Sequence, residues 1–338
     1  MTKIVLDAMG SDNYPKPDVE GAVMAAREYG VEIILVGDES KVKPALDSAG
    51  GAGLPIRIVH APDMLTMEDK GVALALKARR PNAKNSMAVG IDLVKNGEAD
   101  AFVTMGNTGA CLATAYFRLG TIPGVDLPTL AVAFPSKTGS FLLVDLGANP
   151  DCKAENLQQF AIMGSIYSEK VRGVQNPRVA LISNGEEEGK GNELVKAAGP
   201  LLKKSNLNYI GSVEGKEVFG GQVDVIVMDG FTGNVFLKVS EAIAKLLTDT
   251  IKELITGGGL LTKIGGLLIK PAMGKVKKLM DPSEYGAATL LGVNGLVFIG
   301  HGRSDARAVQ VAIRVAKEAA EAKVLDGIES AIEESLKK

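Results

Sequence analysis

Short runs of consecutive apolar residues alternate with amphipathic stretches along almost the whole chain. Helical periodicity is clear in residues 18–29, 86–96 and 156–171. Most of the apolar runs are continuous rather than alternating, as expected of strands that helices cover on both faces. Strands separated by helices of this length predict βαβ units and a doubly wound, mostly parallel sheet. The predicted strands are residues 3–8, 31–36, 56–60, 101–105, 130–134, 141–145, 179–183, 209–213, 223–228 and 296–299.

The end of the chain, residues 304–336, has the pattern of one long helix that packs back on the sheet. No linker rich in proline or serine divides the sequence, so we expect residues 1–338 to form a single α/β domain.

One segment departs from this alternation. Residues 234–255 carry apolar side chains at helical spacing and predict a strongly amphipathic helix. Three glycines at 257–259 interrupt it, and a second segment follows from residue 260 to residue 280. We expect residues 234–281 to form a helical hairpin that protrudes from the sheet.

Composition narrows the functional classes. The chain is 46% apolar and 23% charged, which is typical of a globular protein, and its net charge of −2 gives no global basic field for nucleic acid. The two cysteines, Cys111 and Cys152, form no CxxC pair, which favours a reducing compartment. The sequence shows no secretory leader pattern and no run of 18 apolar residues. We therefore expect a soluble, cytoplasmic protein that is still able to lie against a bilayer.

Glycine- and asparagine-rich turns follow six of the predicted strands, where parallel sheets bind ligands. Glycine lets backbone N–H groups approach an anion, and the helix that follows adds its positive N-terminal dipole. The sequence therefore predicts a shared site for a phosphate-like anion, although each turn by itself is also an ordinary loop or helix cap. The six turns are residues 7–12, 106–109, 145–150, 184–191, 229–234 and 300–304.

Standard nucleotide motifs are not matched. Residues 185–191 are one residue short of a P-loop and lack its Ser or Thr, and no GxGxxG follows the first strand. Cys111, near a predicted helix start, is either an activated thiolate or a small buried side chain. The glutamates at 186–188 are either metal ligands or a solvated turn. His60 is interpreted as structural, whereas His301 is either loop architecture or part of the site.

Taken together and in this order, the turns resemble the bacterial phosphate acyltransferase family of phospholipid synthesis. The resemblance covers nearly the whole chain, and it departs at Ser11, where a glycine is usual, and at Cys111, where an aliphatic residue is usual. The matching segments are Asp7-Ala8-Met9-Gly10, Gly106-Asn107-Thr108-Gly109-Ala110, Gly147-Ala148-Asn149, Lys190-Gly191-Asn192-Glu193, Asp229-Gly230-Phe231-Thr232-Gly233-Asn234 and His301-Gly302.

The resemblance implies an α/β/α fold related to phosphate acetyltransferases and decarboxylating dehydrogenases, a homodimer, and no metal or organic cofactor. It implies formation of acyl-phosphate from acyl carrier protein thioester and orthophosphate, with Lys190 and Asn234 in the active site.

The roles of the site residues follow from what this reaction needs. We expect Lys190 to hold the phosphate charge, Asn234 to stabilise the oxyanion, and His301 to protonate the departing sulfur. Asp7, Asp145 and Asp229 are expected to orient these groups. The predicted phosphate- and substrate-binding residues are Asp7, Gly10, Asn107, Thr108, Gly109, Asn149, Gly185, Thr232 and Gly233.

The end of the predicted hairpin is basic and apolar, with no acidic residue between Glu253 and Asp281. Such a segment favours an anionic membrane surface or a membrane acyltransferase partner, or else a dimer interface with solvated lysines. A second basic cluster contains Arg79 and Arg80 and suits an acidic carrier protein or an ordinary solvated helix end. The predicted contact residues of the hairpin are Leu260, Leu261, Ile264, Leu267 and Leu268, together with Lys263, Lys270, Lys275, Lys277 and Lys278. The expected location is the cytoplasm, at the inner face of the cell membrane.

Two other functional classes stay open from the sequence. One is an NAD(P)-dependent decarboxylating dehydrogenase of related fold, and the other is a non-enzymatic, phosphate-binding peripheral membrane protein.

Overall fold

A computed structural model describes residues 1–66, 68–279 and 286–337. Its strands are β1 (Lys3–Asp7), β2 (Glu32–Gly37), β3 (Ile56–His60), β4 (Ala101–Thr104), β5 (Thr129–Ser136), β6 (Gly139–Val144), β7 (Val179–Ile182), β8 (Tyr209–Val213), β9 (Val225–Val227), β10 (Ala288–Leu291) and β11 (Leu296–Ile299). In this part of the chain they form one eleven-stranded sheet in the order β3-β2-β1-β4-β11-β10-β5-β6-β9-β7-β8.

The helices lie on both faces of the sheet. They are α1 (Lys16–Tyr29), α2 (Glu39–Ser48), α3 (Gly71–Arg79), α4 (Ser86–Lys95), α5 (Thr108–Leu119), α6 (Ala154–Arg172), α7 (Glu193–Lys204), α8 (Gly215–Gly220), α9 (Gly230–Gly257), α10 (Leu260–Leu279), α11 (Ala306–Glu321) and α12 (Val324–Leu336).

The core consists of two apolar layers, one on each face of the sheet. Successive side chains of a strand point to opposite faces. In β1, Ile4 and Leu6 accordingly belong to the layer packed against α1, α6 and α11, whereas Val5 belongs to the layer packed against α4 and α5. This arrangement confirms the predicted doubly wound α/β fold.

The sheet contains two parallel halves that run in opposite directions. Strands β3, β2, β1, β4 and β11 are parallel to one another, as are β6, β9, β7 and β8. Between the halves lie three antiparallel pairings, β11 with β10, β10 with β5 and β5 with β6. Three reversals invert the direction, so the carboxyl ends of the two halves lie at opposite edges of the sheet.

Two predictions about the C-terminal part need correction. Strand β10 was not predicted, although all ten predicted strands are present. The long final helix is wrong, because α11 ends at Glu321 and α12 begins at Val324. Lys323 between them has a φ of 51°, in the left-handed region, which an α-helix cannot continue through.

The helical pair α9 and α10 is separated at Gly258 and Gly259, within the predicted triple glycine. Helix α9 begins earlier than expected, at Gly230, with Asp229 as its N-cap. Residues 280–281, the end of the predicted hairpin, lie outside the described residues, as do the side chains of Lys275, Lys277 and Lys278.

Candidate functional site

Three of the glycine-rich loops meet at one edge of the sheet, after β1, β4 and β11. The backbone N–H of Asp12 donates to the carbonyl of Gly302 at 2.7 Å, which joins the first and last of these loops. Gly10 lies so close to the loop after β4 that an added Cβ would be 2.9 Å from the backbone nitrogen of Gly106. Only glycine allows this approach, so Gly10 has a steric role in joining the two loops besides the substrate-binding role predicted for it.

Asp7 supports this loop cluster from below. Its carboxylate is buried and accepts from the Met9 N–H at 3.0 Å and from the Thr104 hydroxyl at 2.8 Å. The Thr104 oxygen in turn accepts from the Gly106 N–H at 3.0 Å. Burial raises the pKa of Asp7 despite these hydrogen bonds. The carboxylate is therefore placed to hold two loops together rather than to face a phosphate.

Asn107 caps helix α5. Its Oδ1 accepts from the Ala110 N–H at 3.0 Å, and its Nδ2 donates to the carbonyls of Thr66 and Asp69 at 3.0 and 3.3 Å. The amide thus has no hydrogen left for an anion in this conformation. The first N–H groups of a helix have no intrahelical acceptor. The exposed backbone of Thr108 and Gly109 therefore offers the open donors of this loop.

His301 follows β11 at the same edge. Its side chain borders a cavity of about 220 Å³ that Met105, Arg303 and Asp305 also line. The His301 pKa is lowered, chiefly because neighbouring protein atoms desolvate the ring. Glu241 opposes this effect, whereas the cations Arg303 and Lys238 add to it.

The second cluster of loops lies at the opposite edge, after β6, β7 and β9. The buried carboxylate of Asp145 accepts backbone N–H groups of Ala148 at 3.1 Å and of Asn149 at 2.9 Å. Burial raises the pKa of Asp145. The Nδ2 of Asn149 donates to Asp145 at 3.0 Å and to the carbonyl of Pro128 at 2.7 Å. Like Asn107, Asn149 therefore uses both amide hydrogens within the protein.

Helix α9 enters this cluster at very short range. A Cβ added to Gly233 would lie 1.7 Å from the carbonyl oxygen of Asp145, and one added to Gly147 would lie 3.4 Å from the Asn234 Cβ. The Thr232 hydroxyl donates to the Asp229 cap at 2.8 Å, so it serves the helix terminus. Asn234 itself is exposed and has no side-chain hydrogen bond in the described chain.

Lys190 lies on the loop after β7, and β7 is the parallel neighbour of β9, so Lys190 and Asn234 share this edge. The glutamates of the loop are engaged, since Glu186 pairs with Lys216 and Glu188 with Lys203, each at 3.1 Å. All three glutamates of residues 186–188 are exposed, as expected of the solvated-turn alternative. Lys190 is exposed and forms no ion pair with the described chain, so its charge is open to an anion. Gly185 is buried, and a Cβ added to it would lie 2.9 Å from the Cγ of Lys190.

The remaining candidates are resolved by burial and contacts. Cys111 is fully buried, and burial raises its thiol pKa, which confirms a packing residue rather than a thiolate. The Nδ1 of His60 accepts from the Glu39 N–H at 3.2 Å, as expected for a structural histidine. Arg79 and Arg80 are exposed. Among the described residues, no group of three or more His, Cys, Asp or Glu side chains could hold a metal ion.

The six loops thus fall into two clusters that follow strands of opposite direction, because antiparallel pairings reverse half of the sheet. One side of α9 connects them. Asn234, Lys238 and Glu241 are spaced i, i+4 and i+7, which places them on one helix face. Asn234 lies in the second cluster, whereas Lys238 and Glu241 act on His301 in the first. Sequence reasoning missed the latter two, although their spacing from Asn234 was a signal.

Comparisons with known proteins are consistent across sequence and fold. The profile of the family described as "Fatty acid synthesis protein" matches residues 2–326. The chain is 48% identical to the phosphate acyltransferase of Acidobacterium capsulatum, over 98% of this chain and 97% of that protein. It is 46% identical to the phosphate acyltransferase of Clostridioides difficile, over 96% and 95% of the two.

Solved structures share the fold at low identity. A phosphotransacetylase from Streptococcus pyogenes superposes with a TM-score of 0.62 at 18% identity, covering 95% of this chain and 94% of that one. A 4-hydroxythreonine-4-phosphate dehydrogenase from Klebsiella pneumoniae gives 0.50 at 14% identity, covering 95% and 98%.

Proposed function

The chain belongs to the fatty acid synthesis protein family and is a phosphate acyltransferase, and we propose that it transfers an acyl group from acyl carrier protein to orthophosphate. The acyl-phosphate product then feeds glycerophospholipid synthesis. The observation that carries the proposal is the polar face of α9, on which Asn234, Lys238 and Glu241 link two clusters of open anion-binding donors.

The reaction needs little covalent help from the protein. An oxygen of hydrogen phosphate attacks the thioester carbonyl carbon, a carbon–oxygen bond forms, and the carbon–sulfur bond breaks. The proton of hydrogen phosphate ends on the departing sulfur, so acyl-phosphate and a free thiol are the products. Because a thiol has a pKa of about 8.5, its thiolate leaves readily. His301 protonates the sulfur and recovers a proton from the attacking phosphate.

Positioning and charge are therefore the main contributions of the protein. Holding two reactants in register is worth about 7–11 kcal/mol. A single oxyanion donor adds about 3–4 kcal/mol. In the proposed centre Lys190 attracts the phosphate, and the Asn234 amide donates to the oxyanion. In the first cluster the backbone N–H groups of Thr108 and Gly109 are the donors open to substrate, because the amides of Asn107 and Asn149 are already hydrogen-bonded within the protein.

The sulfur and the oxyanion of the intermediate are bonded to the same carbon, so the proposal requires the His301 ring and the Asn234 amide to approach one tetrahedral intermediate from two sides. The α9 row of Asn234, Lys238 and Glu241 supports this, since it runs from the second cluster towards the charges that act on His301.

The surface beside the first cluster supports an acidic protein as acyl donor. Helix α3 exposes Val72 and Leu76, at 78% and 68%, and carries Arg79 at its C-terminus. An apolar strip flanked by arginines fits a carrier protein that presents acidic side chains around an acyl chain.

The helical pair supports both a homodimer and a membrane contact. Val239, Ile243 and Leu246 of α9 are between 51% and 64% exposed in the single chain, which suits burial against a second copy. At the tip of the helical pair, which we define as the first half of α10 (residues 260–269), Leu261 and Leu268 are 85% and 78% exposed. Helix α10 lacks acidic residues. No helix of the described chain is long and apolar enough to span a membrane. The tip therefore suits a peripheral contact with the inner face of the membrane, made directly or through a membrane acyltransferase.

The membrane contact has its own test. Binding to anionic vesicles should weaken with salt, and Leu261→Glu with Leu268→Glu should abolish it while solution activity remains. A double variant that is monomeric and inactive would place the tip in the dimer interface instead.

The acyl donor is tested by comparing the rates of thioester consumption when the same acyl group is carried by acyl carrier protein and by coenzyme A. The protein is first treated with EDTA, and phosphate is in excess in both reactions. We expect thioester consumption that depends on phosphate and is faster with the carrier protein. Equal rates would contradict the carrier surface. Reduction of NAD(P) with a hydroxy acid, and no thioester consumption, would favour the dehydrogenase alternative.

A further inference from the structure

Helix α3 is weakly anchored by its own packing. Leu74 and Ala78 are its two buried residues, whereas the side chains of Val72 and Leu76 are exposed. Its N-cap residue, Lys70, makes no side-chain hydrogen bond to the helix. A nine-residue helix with so small a buried face is not stable by itself, so contacts outside the helix determine where it lies.

The first of these contacts ties the start of the segment to the first loop cluster. The carbonyls of Thr66 and Asp69, just before α3, accept from the Nδ2 of Asn107 at 3.0 and 3.3 Å. Asn107 is also the N-cap of α5, and it precedes the open backbone N–H groups of Thr108 and Gly109. One amide therefore joins the beginning of α3 to the loop that offers these donors.

The second contact ties the end of the segment to the last turn of the same helix, α5. The Nη2 of Arg118 donates to the carbonyls of Arg80 and Pro81 at 2.8 and 3.4 Å, and its Nη1 donates to the Asp92 carboxylate at 2.6 and 2.7 Å. The Arg118 side chain is 10% exposed, and its Nε is buried without a partner in the described chain. A lysine would pair with Asp92 without burying an unpaired Nε, but only the guanidinium fork reaches both Asp92 and the carbonyls after α3.

The segment held by these two tethers is strongly basic. Residues 70–84 contain five lysines and arginines and no acidic residue. Lys77 is paired with Asp69 at 2.5 Å, whereas Arg79 and Arg80 are exposed and form no ion pair with the described chain. Their charges lie beside the exposed apolar side chains of α3, which suits a partner with acidic groups around an apolar one.

We propose that Arg118 and Asn107 are positioning residues for the acyl donor, because they hold α3 as the docking element for acyl carrier protein at a fixed place beside the first loop cluster. The inference rests on the proposed function, in which the acyl donor is a carrier protein. In this role neither side chain acts on the reacting atoms. Loosening a tether therefore weakens capture of the carrier protein more than it weakens binding of phosphate.

Arg118→Lys tests the second tether, since lysine keeps the charge beside Asp92 and loses the fork that reaches the carbonyls of Arg80 and Pro81. Steady-state kinetics should show a KM for acyl carrier protein thioester that rises roughly 2–10-fold, with an unchanged KM for phosphate. An unchanged KM for the carrier thioester, or an equal rise in both KM values, would overturn the proposal.

The matched control is Arg178→Lys. Arg178 has the same pattern of contacts, because it pairs with the Asp224 carboxylate and donates to the carbonyl of Gly221 at 3.0 Å. It lies before β7, in the other half of the sheet, so its replacement should change neither KM. A rise in the carrier KM of Arg178→Lys that equals that of Arg118→Lys would also count against the proposal.

Asn107→Ser tests the first tether and serves as the second variant if Arg118→Lys does not fold. Serine is a favoured N-cap and keeps an oxygen for the Ala110 N–H, but it is too short to reach the carbonyls of Thr66 and Asp69. This variant should also raise the carrier KM. In both variants the amides of α3 should exchange hydrogen faster, while those of the buried helix α4 remain protected. Faster exchange in α3 with an unchanged carrier KM would make the tethers purely structural and overturn the proposal.

A third variant separates this inference from the proposed function. Replacing Arg79 and Arg80 with alanine removes both charges and keeps the backbone carbonyls that Arg118 holds, and it should raise the carrier KM. If this double variant raises the carrier KM but Arg118→Lys and Asn107→Ser do not, the positioning role is overturned and α3 stays the docking element. If none of the three variants changes the carrier KM, α3 is not the docking element. If the wild type consumes no carrier thioester with phosphate, the proposed function itself is contradicted.

Discussion

Asp18 gives the sharpest prediction about stability, because its carboxyl group is completely buried beneath a site loop. Its Oδ2 accepts from the Ser11 hydroxyl at 2.5 Å, and its Oδ1 has no partner in the described chain. Burial raises the pKa of Asp18 from 3.8 to about 7, a change that the Ser11 hydrogen bond opposes and the charge of Asp7 reinforces. Asp18→Asn removes the titration and keeps an oxygen for the Ser11 hydroxyl.

The sign follows from the raised pKa. Between about pH 4 and pH 7 the folded state keeps the Asp18 proton and the unfolded state has lost it, so stability falls as pH rises. Each pH unit costs about 1.4 kcal/mol, and the full shift costs about 4 kcal/mol. Above pH 7 both states are ionised and the effect levels off. From pH 5 to pH 7 the free energy of unfolding of Asp18→Asn, measured relative to wild type, should therefore rise by about 2–3 kcal/mol.

The assay is urea unfolding of both proteins at pH 5, 6 and 7, with the free energy of unfolding taken from midpoint and slope. Asp12→Asn is the control, because it removes an exposed carboxylate from the loop that covers Asp18, next to Ser11. A free-energy difference between Asp18→Asn and wild type that stays constant from pH 5 to 7 would refute the reasoning.

Three further predictions concern the site. Gly233→Ala places a Cβ 1.7 Å from the Asp145 carbonyl oxygen, so it should lower the free energy of unfolding by about 1–3 kcal/mol and reduce kcat. The control Gly265→Ala, whose Cβ has nothing within 4 Å, should be neutral or stabilising. Both variants are compared by thermal melting and by kcat, and equal melting temperatures would disprove the clash. Lys190→Ala should raise the KM for phosphate about tenfold or more and lower kcat, and an unchanged phosphate titration would remove Lys190 from the anion site. Cys111→Ala should leave kcat within a few-fold, and a folded but inactive variant would indicate an acyl-enzyme.

The sequence predicted the elements well where local pattern determines them. Continuous apolar runs identified central strands such as Ala101–Thr104, whose residues are all buried. The bounds of the two edge strands, Ile56–His60 and Tyr209–Val213, were predicted to the residue although these strands are only partly buried. The triple glycine correctly ended α9. The left-handed Lys323 that ends α11 could not be predicted, because lysine has no preference for that conformation.

What the sequence could not provide was the direction of the strands. Ala288–Leu291 pairs antiparallel with β11 and β5, so its effect depends on partners distant in the chain. Its two antiparallel pairings cancel, so the pairing that reverses the second half of the sheet is β5 with β6, whose strands were predicted while their relative direction was not. The residues that connect the clusters, Lys238 and Glu241, became visible only once α9 was seen to pass His301.

The central claim is transfer of an acyl group to an oxygen of orthophosphate, and oxygen labelling tests it most directly. The protein is mixed with acyl carrier protein thioester and orthophosphate labelled with ¹⁸O at every oxygen, and the mass of the intact product is measured by mass spectrometry. Attack by a phosphate oxygen predicts acyl-phosphate that contains all the phosphate label, with one equivalent of free carrier thiol. Release of free fatty acid without labelled acyl-phosphate would contradict the account.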